Sequence, residues 1–353
     1  MILIRYRGGL GNQMFQYAFQ LAVQQKYTDV SVLADLSHYT LNHEHNGFEL
    51  QKYFEIELQT AKENEIRKFS PYYVPSSLVC KLPTAARNFL TEHYKYRYAE
   101  KQKKKKEDHI YLQESHNSYE PQVFELDEKK DWYLDGLWQD LRYLDGCEEK
   151  VKEAFTFNNE ELYTAQDREW KEQIEKSNSV GIHIRRGDFV NSKFDICSEE
   201  YFRKAIKILN EQKEKLTLFF FSDDPDFVEE RFADLSNKVL IRHTAESSIL
   251  GMEMLSLCRH KILSNSTFAF WAGWLGQKEG KAGPLRGRLH GRMGSVKSLM
   301  RAISECCEVE EPDGMAVAVQ QDPPRYIPKA PLKPVEQRYR RVMHQPKERF
   351  RDY

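Results

Sequence analysis

The stretch that most constrains this chain is Val180-Gly-Ile-His-Ile-Arg-Arg-Gly-Asp188. Val180, Ile182 and Ile184 alternate with Gly181, His183 and Arg185, which predicts a strand whose two sets of side chains point to opposite faces. Gly187 ends the regularity and leaves Arg186 and Asp188 in the turn beyond the strand's carboxyl end. Open α/β sheets bind their ligands there. Two adjacent guanidiniums, each a rigid fork of donors, suit a diphosphate. The plain alternative is a pair of surface arginines with a capping aspartate. A buried strand in front of them, with His183 and Arg185 on one face, tips the balance toward a ligand.

Other strand-to-turn units repeat this pattern. Ile2 to Tyr6 reads as a strand and Gly8-Gly-Leu-Gly11 as a tight loop. Asn12 is expected to cap the helix that follows, where Phe15, Ala18, Phe19 and Ala22 recur at helical spacing. Val30 to Ala34 is a second strand, closed by Asp35. This order imitates a dinucleotide fingerprint but fails at Met14, where that motif needs a small residue so that helix and strand can approach. Leu216 to Phe221 is a buried strand followed at once by Ser222-Asp-Asp-Pro225. Pro225 suits the first turn of a helix and leaves Ser222, Asp223 and Asp224 at the strand's end. A carboxylate there accepts from a guanine edge or holds ribose hydroxyls, or one of the two simply caps the helix. Ser198 to Asn210 is a helix, Val239 to Arg242 a strand, Ser248 to Cys258 an amphipathic helix, and Lys261 to Leu263 a short strand. The small polar opening of Ser264-Asn-Ser-Thr-Phe-Ala-Phe-Trp271 starts another helix, whose unpaired N–H groups make an anion site. Trp132 to Leu144 is aromatic-rich, which fits either a sugar-facing surface or a core. Residues 60 to 115 read as charged helical pieces, with Lys103 to Lys106 a solvated loop.

Composition removes several function classes. The 53 Lys plus Arg balance 54 Asp plus Glu, so no global field draws the chain to nucleic acid or an anionic membrane. Cys80, Cys147, Cys197, Cys258, Cys306 and Cys307 form no C-x-x-C pair, which argues for reduced cytosolic thiols and against a zinc site. The chain opens on an apolar strand without a signal peptide, and no run of about 18 apolar residues could span a bilayer. The expected location is cytoplasmic, or peripheral at the membrane. At 353 residues two domains are expected. Residues 1–282 hold 26 Lys and 13 Arg, residues 283–353 hold 4 Lys and 10 Arg, and eight of the thirteen prolines fall in that last part. Apart from an expected helix at 296–309, residues 283–353 read as an irregular, disordered or replaced tail.

Four ordered motifs now name a family. Gly8-Gly-Leu-Gly-Asn-Gln-Met-Phe-Gln-Tyr-Ala18, His-x-Arg-Arg-x-Asp at 183–188, Phe-Ser-Asp-Asp at 221–224 and Ser-Asn-Ser-Thr-Phe-x-x-Trp at 264–271 resemble the motifs of the inverting α-1,2-fucosyltransferases. Tyr119-Glu-Pro121 and Asp135-Gly-Leu-Trp-Gln139 also sit where that family has similar text, and the match covers roughly residues 1–282. The resemblance implies an α/β, GT-B-like glycosyltransferase of two Rossmann-like lobes facing a cleft. Residues 1–150 would form the acceptor-side lobe and 151–282 the GDP-fucose-binding lobe. GDP-fucose would be the donor, a galactose-terminated glycan the acceptor, and no metal or other cofactor is expected.

By that resemblance Arg185 grips the β-phosphate with Arg186 beside it, and His183 and Asp188 belong to the same motif. Asn265, Ser266, Thr267 and Phe268 form the phosphate-side loop, and Ser222 with Asp223 or Asp224 reads the nucleoside. Gly9, Gly11, Asn12 and Gln13 face the donor lobe across the cleft. Arg185, His183, Asp188 and Asn12 are the expected catalytic set, with Asp188 and His183 the candidates for the base that takes the acceptor's proton or, equally, for holding the arginines. Two alternatives stay open: another GDP-sugar transferase of the O-fucosyltransferase type, and a non-catalytic GDP-sugar or glycan-binding protein.

Overall fold

The computed structural model describes residues 1–41, 46–70, 82–83, 85–86, 89, 109–114, 119–192, 195, 197–212, 215–244 and 247–276. The lysine run at 103–106, the expected helix at 296–309 and the whole of 283–353 lie outside these residues. Two parallel sheets organise what is described, and a two-lobed α/β arrangement results.

The first sheet is built from β1 (Ile2–Arg5), β2 (Val32–Asp35), β3 (His109–Gln113) and β4 (Asp131–Asp135), in the order β2-β1-β4-β3. Every pairing is parallel. Strand alternation does the sorting: Ile2 and Ile4 enter the main core with Trp132 and Leu134, while Leu3 meets Tyr133 and Phe69 on the other face. Phe69 comes from a short helix, α4 (Glu63–Phe69), which follows α2 (Ser37–Leu41) and α3 (Leu50–Tyr53).

Helix α1 (Leu10–Lys26) covers the main core with Met14, Phe15, Ala18, Phe19 and Val23, all nearly inaccessible. It starts earlier than its sequence implies. Gly9 holds the cap position in an extended conformation, and its carbonyl takes the N–H groups of Asn12 and Gln13. Asn12 therefore lies inside the first turn and is not the cap, which releases its side chain for another partner.

The structure decides the open reading of the aromatic stretch and changes the expectation for the charged one. Trp132, Tyr133, Trp138 and Tyr143 are buried, with Phe19 stacked on Trp138 at 4.1 Å and 7°, so the aromatic run is core and not a sugar-facing surface. Within the charged region a strand, β3, forms at 109–113, because β4 supplies a complete hydrogen-bonding edge that the local sequence does not advertise.

The second sheet follows α5 (Glu148–Ala154) and α6 (Ala165–Lys176). Its strands β5 (Asn178–Ile184), β6 (Leu216–Ser222), β7 (Lys238–Ile241) and β8 (His260–Leu263) run parallel in the order β7-β6-β5-β8. Between them lie α7 (Glu199–Gln212), α8 (Pro225–Arg231) and α9 (Ser248–Leu257), with α10 (Thr267–Leu275) at the end. One face, with Val180, Ile182, Leu218 and Phe220, is covered by Tyr201, Phe202, Ala205, Ile206 and Leu209 of α7. The other face, with Phe219 and Phe221, joins the core of the first sheet. Helix α9 is buried from Ile249 to Ser256 and has no solvent stripe. It is wedged between β5, α6 and α10, so the amphipathic pattern expected for it is absent. No helix among the described residues is long and apolar enough to cross a membrane.

Gly181 permits the close approach of α9 to β5. A Cβ there would lie 2.5 Å from Leu255 Cδ1 and 3.0 Å from Cys258 Sγ. Gly181→Ala is expected to lower stability by about 1–3 kcal/mol, the usual cost of overpacking a filled core. Urea unfolding of the two proteins measures it, and a difference below about 0.5 kcal/mol would show that α9 can retreat freely.

Candidate active site

Open parallel sheets bind ligands outside the carboxyl ends of the strands, where the strand order reverses. In the second sheet the chain moves from β5 outward to β6 and β7, then returns to the other side of β5 for β8. In the first it moves from β1 to β2, then crosses to β4 and β3. The reversals therefore fall between β5 and β8 and between β1 and β4. The motifs singled out from sequence lie at these two places, with the 221–224 run one strand away.

At the end of β5 the arginines are held by carboxylates from the end of β6. Arg185 donates from Nε and Nη2 to Asp188 Oδ1 (3.0 and 2.6 Å), and its Nη1 lies 3.0 Å from Asp223 Oδ2. Of its five N–H donors this leaves two. Arg186 donates its backbone N–H to Asp223 Oδ1 (2.8 Å) and Nε to Asp224 Oδ2 (2.9 Å), with its guanidinium 3.8 Å from the centre of the Phe227 ring. Asp224 also accepts from Phe227 N–H and so caps α8, and its own N–H donates to Ser222 Oγ. Gly187 leaves room for Asp223 in this position: a Cβ there would lie 2.6 Å from Asp223 Oδ2. The result is a fixed, half-exposed corner of two cations and three carboxylates.

Across the β5/β8 reversal, His183 Nδ1 lies 2.8 Å from Ser264 Oγ, and the Phe268 ring tilts over the imidazole at 5.7 Å. Burial and then the neighbouring Arg185 charge push the His183 pKa down to about 3. The ring is neutral at ordinary pH, a hydrogen-bonding group and a weak base. Asn265 Oδ1 accepts from Cys197 Sγ at 3.6 Å. Ser266 stands at the cap of α10 without using its side chain there, so it does not itself cap the first-turn N–H groups of α10.

The β1/β4 reversal carries the glycine loop. Asn12 Oδ1 accepts from Gln139 Nε2 at 2.7 Å, a bond that spans the two strands' ends and points the Asn12 amide nitrogen the other way. Gln13 is fully buried and spends its amide on Gly8 O, Gly47 O and Glu49 N–H, which places it behind the loop as a fastener. Gly11 is where the two lobes touch: a Cβ on it would lie 2.6 Å from both Phe268 N and Thr267 Oγ1. Trp271 Nε1 donates to Gly11 O at 3.0 Å, and Phe15 packs on Trp271 at 4.8 Å. Gly9, Gly11, Asn12, Ser266, Thr267 and Phe268 are thus brought together. The Arg185 corner adjoins them through His183 and Phe268.

Sequence reading assigned no role to Phe227, Gln139 or Glu114. Gln139 was signalled by its place in a family-like motif. Glu114 carried no signal, since it sits beside a long charged stretch and its partners come from the loop after β4.

A fixed arginine pair, the start of α10 and the glycine loop thus lie together at the carboxyl ends of the two sheets. The description "Glycosyl transferase family 11" belongs to a family model that matches residues 1–282, and the chain belongs to that family. It is 28% identical over 294 residues to the O-antigen biosynthesis glycosyltransferase WbnK of Escherichia coli, covering 78% of this chain and 90% of that protein. It is likewise 28% identical over 289 residues to an α-1,2-colitosyltransferase of Escherichia coli, covering 78% and 87%. Among solved structures, the α-1,6-fucosyltransferase NodZ soaked with GDP-fucose, known also from Bradyrhizobium, has a TM-score of 0.42 at 15% identity, covering 78% of this chain and 92% of that one. POFUT1 in complex with GDP has a TM-score of 0.42 at 10% identity, covering 78% and 94%.

The depressed His183 pKa has a measurable consequence. Between its ordinary value near 6.5 and about 3, the unfolded chain binds a proton that the native protein refuses. This contribution to stability is complete above pH 6.5 and is lost as the pH falls, by up to about 1.4 kcal/mol per pH unit. His183→Asn, which keeps a partner for Ser264, is expected to flatten that part of the profile. Urea unfolding at several pH values decides it, and equal slopes in both proteins would show that His183 takes up its proton in place.

Proposed function

We propose that this glycosyltransferase moves L-fucose from GDP-fucose to the 2-hydroxyl of a terminal galactose on a glycan, with inversion and without a metal. The observation that carries the reading is the corner formed by Arg185, Arg186 and Asp223 at the ends of β5 and β6, joined to the start of α10 through His183 and Phe268. As the bond from fucose C1 to phosphate breaks, negative charge grows on the β-phosphate of GDP. The two unused N–H donors of Arg185 and the first-turn N–H groups of α10 stabilise that charge in place, without reorganisation. Asp188 and Asp223 hold Arg185 in position. Lone pairs left on Asp223, Asp224 and Ser222 serve the nucleoside. Asn12 presents its amide nitrogen from the facing lobe.

Neither aspartate of the Asp223-Asp224 pair is at leisure to bind a cation, because each already accepts from an arginine. A second donor is favoured by one relative, the α-1,2-colitosyltransferase, which shares the linkage position in its name. A donor panel of activated fucose and activated colitose with a set of galactosides separates the two readings. Hydrolysis or transfer of neither would favour a binding protein.

Arg185→Ala is expected to lower kcat by about 10²–10³-fold, the scale for losing a main charge stabiliser, with the thermal midpoint unchanged. Arg185→Lys should recover only a small part, since an ammonium lacks the fork. Transfer within about tenfold of the parent, roughly 1.4 kcal/mol, would place the phosphate elsewhere. EDTA is expected to leave the rate unchanged. Loss of activity on chelation, restored by manganese or magnesium, would move Asp223 and Asp224 into a metal site.

A further inference from the structure

Inverting transfer, the reaction proposed for this site, sets a geometric requirement, and the role assigned to a base depends on that reading. The acceptor oxygen reaches C1 from the face opposite the departing phosphate, so its proton must be taken on the side away from Arg185. That side is the carboxyl edge of the first sheet. Among the described residues, four carboxylates end its strands or lie in the loops just after them. Asp35 is fully buried and accepts from Tyr133 OH (2.6 Å) and Ser37 N–H (2.9 Å). Asp135 faces Arg5 at 3.3 Å and Arg7 at 3.7 Å. Asp140 is gripped on both oxygens by Arg142, at 2.9 and 2.7 Å. Each of these three is saturated or neutralised.

Glu114 differs. It follows β3, is 7% exposed, and has no ion-pair partner among the described residues. Its Oε2 accepts the backbone N–H groups of Leu137 (2.7 Å) and Trp138 (3.0 Å), while Oε1 has no partner among the described residues. The loop that clamps it is built under strain: Trp138 adopts φ 54°, a left-handed conformation uncommon for a bulky residue. Gly136 is required beside it, since a Cβ there would lie 2.7 Å from both Glu114 Cβ and Trp138 Cε2. Strained backbone of this sort concentrates at functional sites, and an unmet buried acceptor calls for a group to complete it. The same loop ends at Gln139, whose side chain reaches Asn12, next to the Gly11 contact with Thr267 and Phe268.

We propose that Glu114 is the proton acceptor of the transfer, with Oε2 clamped by the loop and Oε1 left for the acceptor hydroxyl. The hydroxyl proton passes to Oε1 as the oxygen's electron pair forms the new bond to C1. The bond from C1 to the β-phosphate oxygen breaks with its pair going to that oxygen, beside Arg185. Glu114 ends neutral and GDP carries the charge. Burial raises the Glu114 pKa, partly offset by the two backbone N–H bonds and the Arg7 charge, with Asp140 adding to the rise. A raised carboxyl is a better base than an exposed one.

Glu114→Gln separates the chemical role from the structural one, because the amide carbonyl still accepts both N–H bonds but takes no proton. With GDP-fucose and a galactoside, kcat is expected to fall by about 10²–10⁴-fold while GDP affinity and the thermal midpoint stay at parental values. The acidic limb of the parent's kcat profile, where Glu114 protonates, should vanish in the variant. Glu114→Asp should retain partial activity with that limb present. A Glu114→Gln protein transferring within about threefold of the parent would overturn the proposal, since general acid–base help is worth far more. If that variant fails to fold, the parent decides: an acidic limb in kcat supports the assignment, and a profile flat from about pH 5 to 9 overturns it. A parent inert toward every donor and acceptor would overturn the transferase reading, and this assignment with it. An active parent with an equally active Glu114→Gln overturns this assignment alone.

Discussion

The contact of Gly11 with the start of α10 is the constraint on which the rest of the site depends. Two helix N-termini meet there, α1 from the first sheet and α10 from the second, with Trp271 Nε1 bonded to Gly11 O. Any side chain at position 11 would intrude on the Thr267 and Phe268 backbone. The approach is backed by Phe15 against Phe270 and Trp271, and by Phe155 against Trp271. Aromatic packing of this density resists small shifts. It fixes the distance between the loop that carries Asn12 and the loop that follows β8.

Electrostatics of the arginine corner follow from this frame. Two guanidiniums within one turn would repel and splay without carboxylates between them. Asp223 pairs with the Arg185 guanidinium and accepts the Arg186 backbone N–H, Asp188 holds the other side of Arg185, and Asp224 holds the Arg186 guanidinium. Gly187 makes room for Asp223, and Phe227 supplies a flat face for Arg186. His183, stripped of water and beside Arg185, is kept neutral and adds no third positive charge. The corner is thus held in one arrangement before any ligand arrives. The facing lobe offers a carboxylate that, among the described residues, is bonded to backbone N–H groups alone.

Much of this was legible in the linear chain. Apolar runs placed six of the eight strands among the described residues, since such a run between polar turns has few other ways to be buried. The arginine, Ser-Asp-Asp and Ser-Asn-Ser-Thr motifs were readable for the same reason: each follows an apolar run at once, so it must lie at a strand's carboxyl end. What failed was what depends on neighbours. Helix α1 begins at Leu10 and not after Asn12, because Gly9 can take the cap and Gln139 competes for the Asn12 side chain. Helix α9 looked one-sided, yet it is enclosed on all sides.

By itself, then, the sequence determined the α/β class, the order of the ligand-facing turns and the family, because these rest on local alternation and on short motifs whose spacing is covalent. Only the tertiary structure decided which of those polar groups are already spent. Asp224 is a cap and an ion partner, Gln13 is a fastener, and His183 is neutral, since burial and partners far apart in sequence set charge and hydrogen-bond supply. Glu114 belongs to this second kind. Its clamp comes from residues 23 and 24 positions away, across the β3/β4 pairing. No pattern within β3 records that pairing, because a strand's partner is chosen by the sheet and not by the strand.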